Sequence, residues 1–246
     1  MAHFYLAPAA SRLIAGETIV LTGDEARHAA QAARLRVGER ILVGDGRGAI
    51  AQAEASQVDP TEVPLVVVSV THTEADTPGL WLIQSLAKSG RDEQAIEAAT
   101  EVGVTGVIPL QAERCVVRWK GEKLDAGVTR WQRIVTEASK QAIQPHTPRV
   151  TAPVTIDELA ADASSWQLIV LDHRAETRLA DVALDVSEEA APVAVVVGPE
   201  GGLSEGERGA LEAAGATVAK MGPGVLRTSS AGPIAIALLH QRLGHW

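Results

Sequence analysis

The sequence predicts an α/β protein: a small β-barrel of short strands, then a mostly parallel sheet with helices on both faces. Three observations predict it. Short apolar runs at close spacing, with one helical stretch among them, fill residues 18–70. From Leu80 onward, apolar runs alternate with amphipathic helical patterns, which implies parallel strands joined by crossover helices. Val193-Ala-Val-Val-Val197 is a continuous run ending at Gly198, the mark of a strand buried on both faces. The linker Thr73-Glu-Ala-Asp-Thr-Pro-Gly79 separates two domains, residues 1–73 and 78–246.

In the first part, Thr18-Ile-Val-Leu21 reads as a strand, and Thr22-Gly-Asp-Glu25 as a capping box opening a helix to about Leu35. Residues 38–43 and 49–55 are strands joined by the turn Gly44-Asp-Gly-Arg-Gly48, and 65–70 is a further strand. In the second part, 80–86 and 106–110 are strands flanking a helix over 92–102 that Gly103 closes. A long helix covers 128–143, stopped by Pro145. Thr155-Ile-Asp-Glu158 caps a short helix, and Gln167-Leu-Ile-Val-Leu171 is a buried strand. After Val197, Ser204 and Glu207 form a capping box for a helix to about Ala214, where Gly215 stops it; Thr217-Val-Ala-Lys-Met221 is the last strand. An apolar helical segment follows over 233–243.

Composition excludes several classes. Hydrophobic residues are 46% and charged residues 22%, an ordinary globular balance, and no apolar run approaches membrane-spanning length. The start, Met1-Ala-His-Phe-Tyr-Leu, lacks the basic region of a secretion signal, and a single cysteine rules out an intramolecular disulfide, so a reducing cytoplasm is expected. Aromatics at 3% argue against a stacking platform for single-stranded RNA, and a net charge of -9 argues against a general grip on nucleic acid. Charge is nonetheless locally positive between Arg114 and Arg149, where Arg118, Lys120, Lys123, Arg130, Arg133 and Lys140 outnumber the acids, the pattern of one face meeting phosphates. Arg27, His28, Arg34 and Arg36 crowd the first helix and its exit, where a solvated face and RNA contact fit equally well. The seven histidines form no H-x₃-H or H-E-x-x-H spacing and Cys115 stands alone, so no metal is expected.

Two glycine-bearing loops carry the chemistry. Gly198-Pro-Glu-Gly-Gly202 runs from a buried strand into a capped helix, a layout that brings backbone N–H groups to a ligand and equally serves as a tight connection. It has neither the Gly-Lys-Ser/Thr ending of a P-loop nor a G-x-G-x-x-G fingerprint. Gly222-Pro-Gly-Val-Leu-Arg-Thr-Ser-Ser-Ala-Gly232 follows the last strand. With Arg91-Asp-Glu-Gln-Ala-Ile-Glu-Ala-Ala-Thr-Glu-Val-Gly103 and Glu113-Arg114, these loops resemble, in order and over nearly the whole chain, the RsmE family of SPOUT-class ribosomal RNA methyltransferases.

The resemblance implies a PUA-like RNA-binding domain ahead of a SPOUT-like domain with a trefoil knot, and a homodimer. It implies S-adenosylmethionine as methyl donor, no metal, and N3 of a uridine in 16S ribosomal RNA of the small subunit as acceptor. The cofactor would lie among three strand-end loops, against Leu171, Gly198, Pro199, Glu200, Gly201, Met221, Gly222, Val225 and Leu226. Arg27, Arg34, Arg36, Arg114, Arg118 and Arg130 are the candidate RNA contacts. Arg227 is the candidate catalytic group, since a guanidinium beside the uracil carbonyls would stabilise the anion formed at N3; its other reading is a salt bridge to Glu200. Ser229 stands where many relatives have Glu, and Ala142-Ile143-Gln144 also departs from the family pattern. Those departures motivate a rival reading, a non-catalytic RNA-binding or ribosome-assembly factor on the same fold.

Overall fold

The computed structural model describes residues 4–7 and 12–246, so residues 1–3, which begin the start read above as free of a secretion signal, lie outside the described residues. The chain forms two compact units: Met1–Ala75 with Ser139–Thr147, and Asp76–Ala138 with Pro148–Trp246.

The first unit is built on β1 (Phe4–Leu6), β2 (Thr18–Thr22), β3 (Arg40–Gly44), β4 (Ala49–Ala55) and β5 (Glu62–His72), in the sheet order β1-β3-β4-β5-β2. Only β1–β3 is parallel; the other pairs are antiparallel. The alternation along β4 puts Ala49, Ala51, Ala53 and Ala55 inside, and these small side chains let the sheet close on Tyr5, Leu21, Leu65 and Val67. A register shift at Gln52/Ala53 adds the local twist that curls such a sheet.

The helix expected from Thr22 to Leu35 is shorter. Thr22 has extended backbone angles, but its side chain makes no capping bond, so the expected capping box does not form. The α1 helix (Gly23–Arg27) widens into one π-helical turn (His28–Ala32), and Arg34 at φ 54° ends it. Residues 139–147 join this unit through backbone: Gly48 N–H donates to Pro145 O at 2.9 Å and Thr147 N–H to Gly46 O at 3.0 Å. Lys140 pairs with Glu25 at 2.7 Å in the same unit. No periodicity in the sequence marks this segment as part of the N-terminal unit.

The second unit carries six parallel strands: β6 (Leu80–Ser85), β7 (Gly106–Leu110), β8 (Arg149–Val150), β9 (Gln167–Leu171), β10 (Val193–Val197) and β11 (Thr217–Ala219). Their order is β11-β9-β10-β6-β7-β8. All five residues of β10 are buried, as expected for a strand covered on both faces, and each fully buried aliphatic side chain there contributes about 1.5–3 kcal/mol. The helices are α2 (Arg91–Glu101), α3 (Glu122–Gln141), α4 (Ile156–Ala161), α5 (Glu205–Ala213) and α6 (Thr228–Leu243). The other two expected capping boxes, Thr155/Glu158 and Ser204/Glu207, are formed.

Two helices start earlier than the sequence predicts. α3 runs through Gly127, a residue read as lying outside it. A Cβ at Gly127 would stand 2.5 Å from the Trp119 ring, which itself packs edge-on against buried Trp131 at 5.2 Å. The glycine is there for that close approach, not to break the helix. α6 begins at Thr228 and carries Pro233 inside it; Arg227, in extended conformation, is its N-cap, and the Arg227 carbonyl accepts from Ser230 and Ala231 N–H at 2.9 Å. Among the described residues, no helix is long and apolar enough to cross a membrane.

Candidate active site

Parallel strands point their carboxyl ends the same way, and open α/β sheets bind ligands there, where strand order reverses. In this sheet the chain runs β6 to β8 in one direction and places β10, β9 and β11 on the other side of β6. A cleft of about 480 Å³ lies at that end, lined by Leu171, Val197 and Ala219 at the ends of β9, β10 and β11 and by the loops after them. That volume is within the ordinary range for a small-molecule site.

The loop after β10 is fixed from several directions. Gly202 N–H donates to Pro199 O at 2.8 Å, and Gly202 sits at φ 66°. A Cβ on Gly198 would lie 3.1 Å from the Leu203 nitrogen, a contact with backbone that cannot swing away. The Thr228 hydroxyl donates to Gly198 O at 3.0 Å and accepts from Gln84 Nε2 at 3.0 Å. Thr228 and Gln84 are buried, so this chain couples β6, the loop after β10 and the first turn of α6. Glu207 caps α5 and also accepts from Glu113 N–H at 2.5 Å, which holds the Glu113-Arg114 segment beside the loop.

The charged residues around the cleft are mostly paired. Arg91, the first residue of α2, reaches Glu200 at 3.2 Å, and Arg114 donates to Gly201 O at 2.8 Å. Asp172 accepts from the Arg174 backbone N–H at 2.9 Å and guanidinium at 2.7 Å, with Arg208 at 3.7 Å. The Arg174 hydrogen bonds hold the Asp172 carboxyl below the usual carboxylate range. Asp172 is thus held in its turn by arginine, with His173 Nδ1 3.7 Å away. Arg227 lines the cleft, is exposed and has no ion-pair partner among the described residues, as is also true of Arg114, while Lys220, half-buried, has none either. The salt bridge to Glu200 considered above is not made, because Arg91 occupies that carboxylate.

Leu171, Gly198, Pro199, Glu200, Gly201, Met221, Val225 and Leu226 all line the cleft; Gly222 does not. Val225 and Leu226 are 71% and 41% exposed, an open apolar surface beside the glycine loop. The candidate RNA contacts are more scattered. Arg114 lines the cleft, and Arg118 donates to Glu113 O at 2.8 Å on the same segment. Arg130 forms an exposed pair with Glu93 at 2.7 Å. Arg27 pairs with Asp24 at 2.7 Å, Arg34 holds the left-handed backbone position and the Arg36 N–H donates to Glu39, all in the first unit. Sequence reading gave no role to Gln84, Thr228 or Arg174; Thr228 stood in the quoted glycine-loop motif, but its partners are far away in the chain and left no local signal.

Comparison with known proteins gives the class first. The family model described as an RNA methyltransferase domain matches residues 74–240, and that of the RNA methyltransferase PUA domain matches residues 21–67. The chain is 35% identical over 239 residues to ribosomal RNA small subunit methyltransferase E of Mycobacterium bovis, covering 94% of this chain and 89% of that one. It superposes on the crystal structure of ribosomal RNA small subunit methyltransferase E from Neisseria gonorrhoeae bound to S-adenosyl methionine, with TM-score 0.88, 25% identity and 98% coverage of both chains. A methyltransferase structure from Legionella pneumophila, in complex with the same cofactor, gives TM-score 0.87, 25% identity and 98% coverage of both chains. The chain belongs to the ribosomal RNA small subunit methyltransferase E family.

Proposed function

We propose that this protein transfers a methyl group from S-adenosylmethionine to N3 of a uridine in 16S ribosomal RNA of the small subunit, in the cytoplasm. Family membership supports the reaction class, and the observation that carries the mechanism is the exposed Arg227 guanidinium at the cleft, which has no ion-pair partner among the described residues.

The residues present fit the cofactor. Glycine backbone at 198 and 201–202 leaves room for close approach, and Met221, Val225 and Leu226 offer apolar surface to an adenine face. When bound, S-adenosylmethionine supplies a sulfonium-activated methyl group. The protein's work is then positioning and charge stabilisation. N3 of uracil is neutral near pH 7 and must lose its proton as it attacks. The Arg227 guanidinium can meet the negative charge that spreads to the uracil carbonyl oxygens, and its freedom from Glu200 leaves it available for that. Ser229, in the first turn of α6, brings no carboxylate base, so the electrostatic part rests on Arg227. Arg114 and Arg118 on one segment, with Arg27, Arg34 and Arg36 in the PUA-type unit, would hold RNA phosphates.

We also propose a homodimer through α6, whose Ile234 and Leu238 are 42% and 49% exposed and stand four residues apart on one helix face. Ile234→Glu with Leu238→Glu should then sediment as a monomer where the parent chain is a dimer; a parent chain that sediments as a monomer would refute it.

The reaction is tested by mass spectrometry of 16S ribosomal RNA nucleosides from cells with and without this protein. Loss of 3-methyluridine on deletion is expected. Unchanged 3-methyluridine would favour the non-catalytic assembly factor.

A further inference from the structure

Outside the cleft, three side chains converge in the second unit: Asp76 and, far along the sequence from it, His240 and His245. His240 lies in the last turn of α6 and is 1% exposed; His245 follows Gly244, whose φ of 75° turns the chain back. His240 Nε2 is 3.2 Å from Gly103 O, and His245 Nε2 is 3.4 Å from Thr77 O. A carbonyl oxygen only accepts, so both Nε2 atoms carry the proton, and in the neutral rings both Nδ1 atoms carry a lone pair. Those two Nδ1 atoms face each other at 3.1 Å, and Asp76 Oδ2 lies 3.7 Å from one and 3.8 Å from the other. Three electron-pair donors thus point at one place with no hydrogen among them.

We propose that Asp76 Oδ2, His240 Nδ1 and His245 Nδ1 bind a divalent transition-metal ion of the zinc type. Zinc–nitrogen bonds of about 2.0–2.1 Å at tetrahedral angles set donors roughly 3.3–3.4 Å apart, and the observed 3.1–3.8 Å spans that value. Two imidazoles and one carboxylate favour zinc or cobalt over magnesium or calcium, which take oxygen donors. The Nε2–H bonds to Gly103 and Thr77 are the outer contacts that fix the tautomer of metal-bound histidines. Trp246 stacks on His240 at 5.1 Å and covers the ring. Bound metal would clip the segment before β6 to the end of α6. Asp76, at 45% exposure, leaves the remaining coordination positions toward solvent.

The test uses the untagged full-length chain, stripped with chelator and titrated with cobalt chloride and then zinc chloride. A visible tetrahedral cobalt band that zinc abolishes is expected, together with a zinc-dependent rise in Tm. Asp76→Ala and His245→Ala, which remove side chains at the edge of the unit, should each weaken zinc binding at least tenfold and lose the Tm rise while the far-ultraviolet spectrum is unchanged. No cobalt band at micromolar protein, or variants that bind as the parent does, would overturn the proposal; the first result would leave a proton shared between the two imidazoles.

Discussion

Arg91 holds the Glu200 carboxylate at 3.2 Å across 109 residues of sequence, and Arg227, exposed at the cleft, has no acidic partner among the described residues. An arginine neutralised by a carboxylate could do little for a developing anion. The ion pair therefore ties Arg91 to the loop and leaves Arg227 free of Glu200, as its proposed role beside the acceptor requires.

Arg227→Ala should lower the single-turnover rate by about a hundredfold or more at saturating RNA and cofactor, with much smaller changes in either affinity. Arg227→Lys should recover only part of the rate, since a point charge cannot span two carbonyl oxygens as a planar guanidinium does. Arg118→Ala should do the opposite, weakening RNA binding and flattening its salt dependence while the saturated rate survives. Rapid-quench measurements distinguish these; a wild-type rate for Arg227→Ala would make Arg227 a binding group.

Gly198 and Gly201 should respond differently to alanine. At Gly198 the new Cβ meets Leu203 backbone at 3.1 Å, so the loop must shift and S-adenosylmethionine binding should fall by at least tenfold. At Gly201 it meets only the Arg114 side chain at 3.4 Å, an ordinary contact, so Gly201→Ala should leave the fold intact; Gly201→Val should fill the space the cofactor needs and abolish binding. Calorimetric titration with the cofactor reads all three, and equal losses at the two alanine variants would contradict the geometry.

Thr228→Val removes a hydroxyl that serves both Gln84 and Gly198 while keeping the side-chain shape. Leaving those buried groups unpaired should cost about 1–3 kcal/mol in urea unfolding, and Thr228→Ser should restore most of it. A neutral Thr228→Val would mean that the hydroxyl chain does not stabilise the site.

Asp172 gives a pH dependence of defined sign. Its folded pKa is depressed by Arg174, so its contribution to stability is complete above the unfolded value of about 3.9 and is lost as pH falls through the folded value. Urea midpoints of the parent chain should drop more steeply below pH 4 than those of Asp172→Asn. Parallel curves would show that the pairing with Arg174 adds nothing to folding.

Much of the second unit was legible because its signals are local. A run such as 193–197 can be little but a buried strand, and capping boxes such as Ser204/Glu207 state a helix start within four residues. Where a signal needs tertiary support it misled: Thr22 and Glu25 have the right types and spacing, yet Thr22 makes no capping bond and the helix widens into a π turn. The helix read over 128–143 left out Gly127, whose partner, the Trp119 ring, is invisible to periodicity. The cleft itself was readable from its loops, whereas what orders it, Arg91 with Glu200 and Gln84 with Thr228, joins residues more than a hundred positions apart. In the Asp76, His240 and His245 cluster the two histidines are five residues apart, but the carboxylate that completes it is more than a hundred positions away.

The most direct measurement supplies purified protein with small ribosomal subunits, or with bare 16S ribosomal RNA, and methyl-labelled S-adenosylmethionine, then digests the RNA to nucleosides. Label should appear in 3-methyluridine at one position, at a rate that Arg227→Ala lowers by about a hundredfold. Label in any other nucleoside, or none with either substrate while the cofactor binds, would contradict the account.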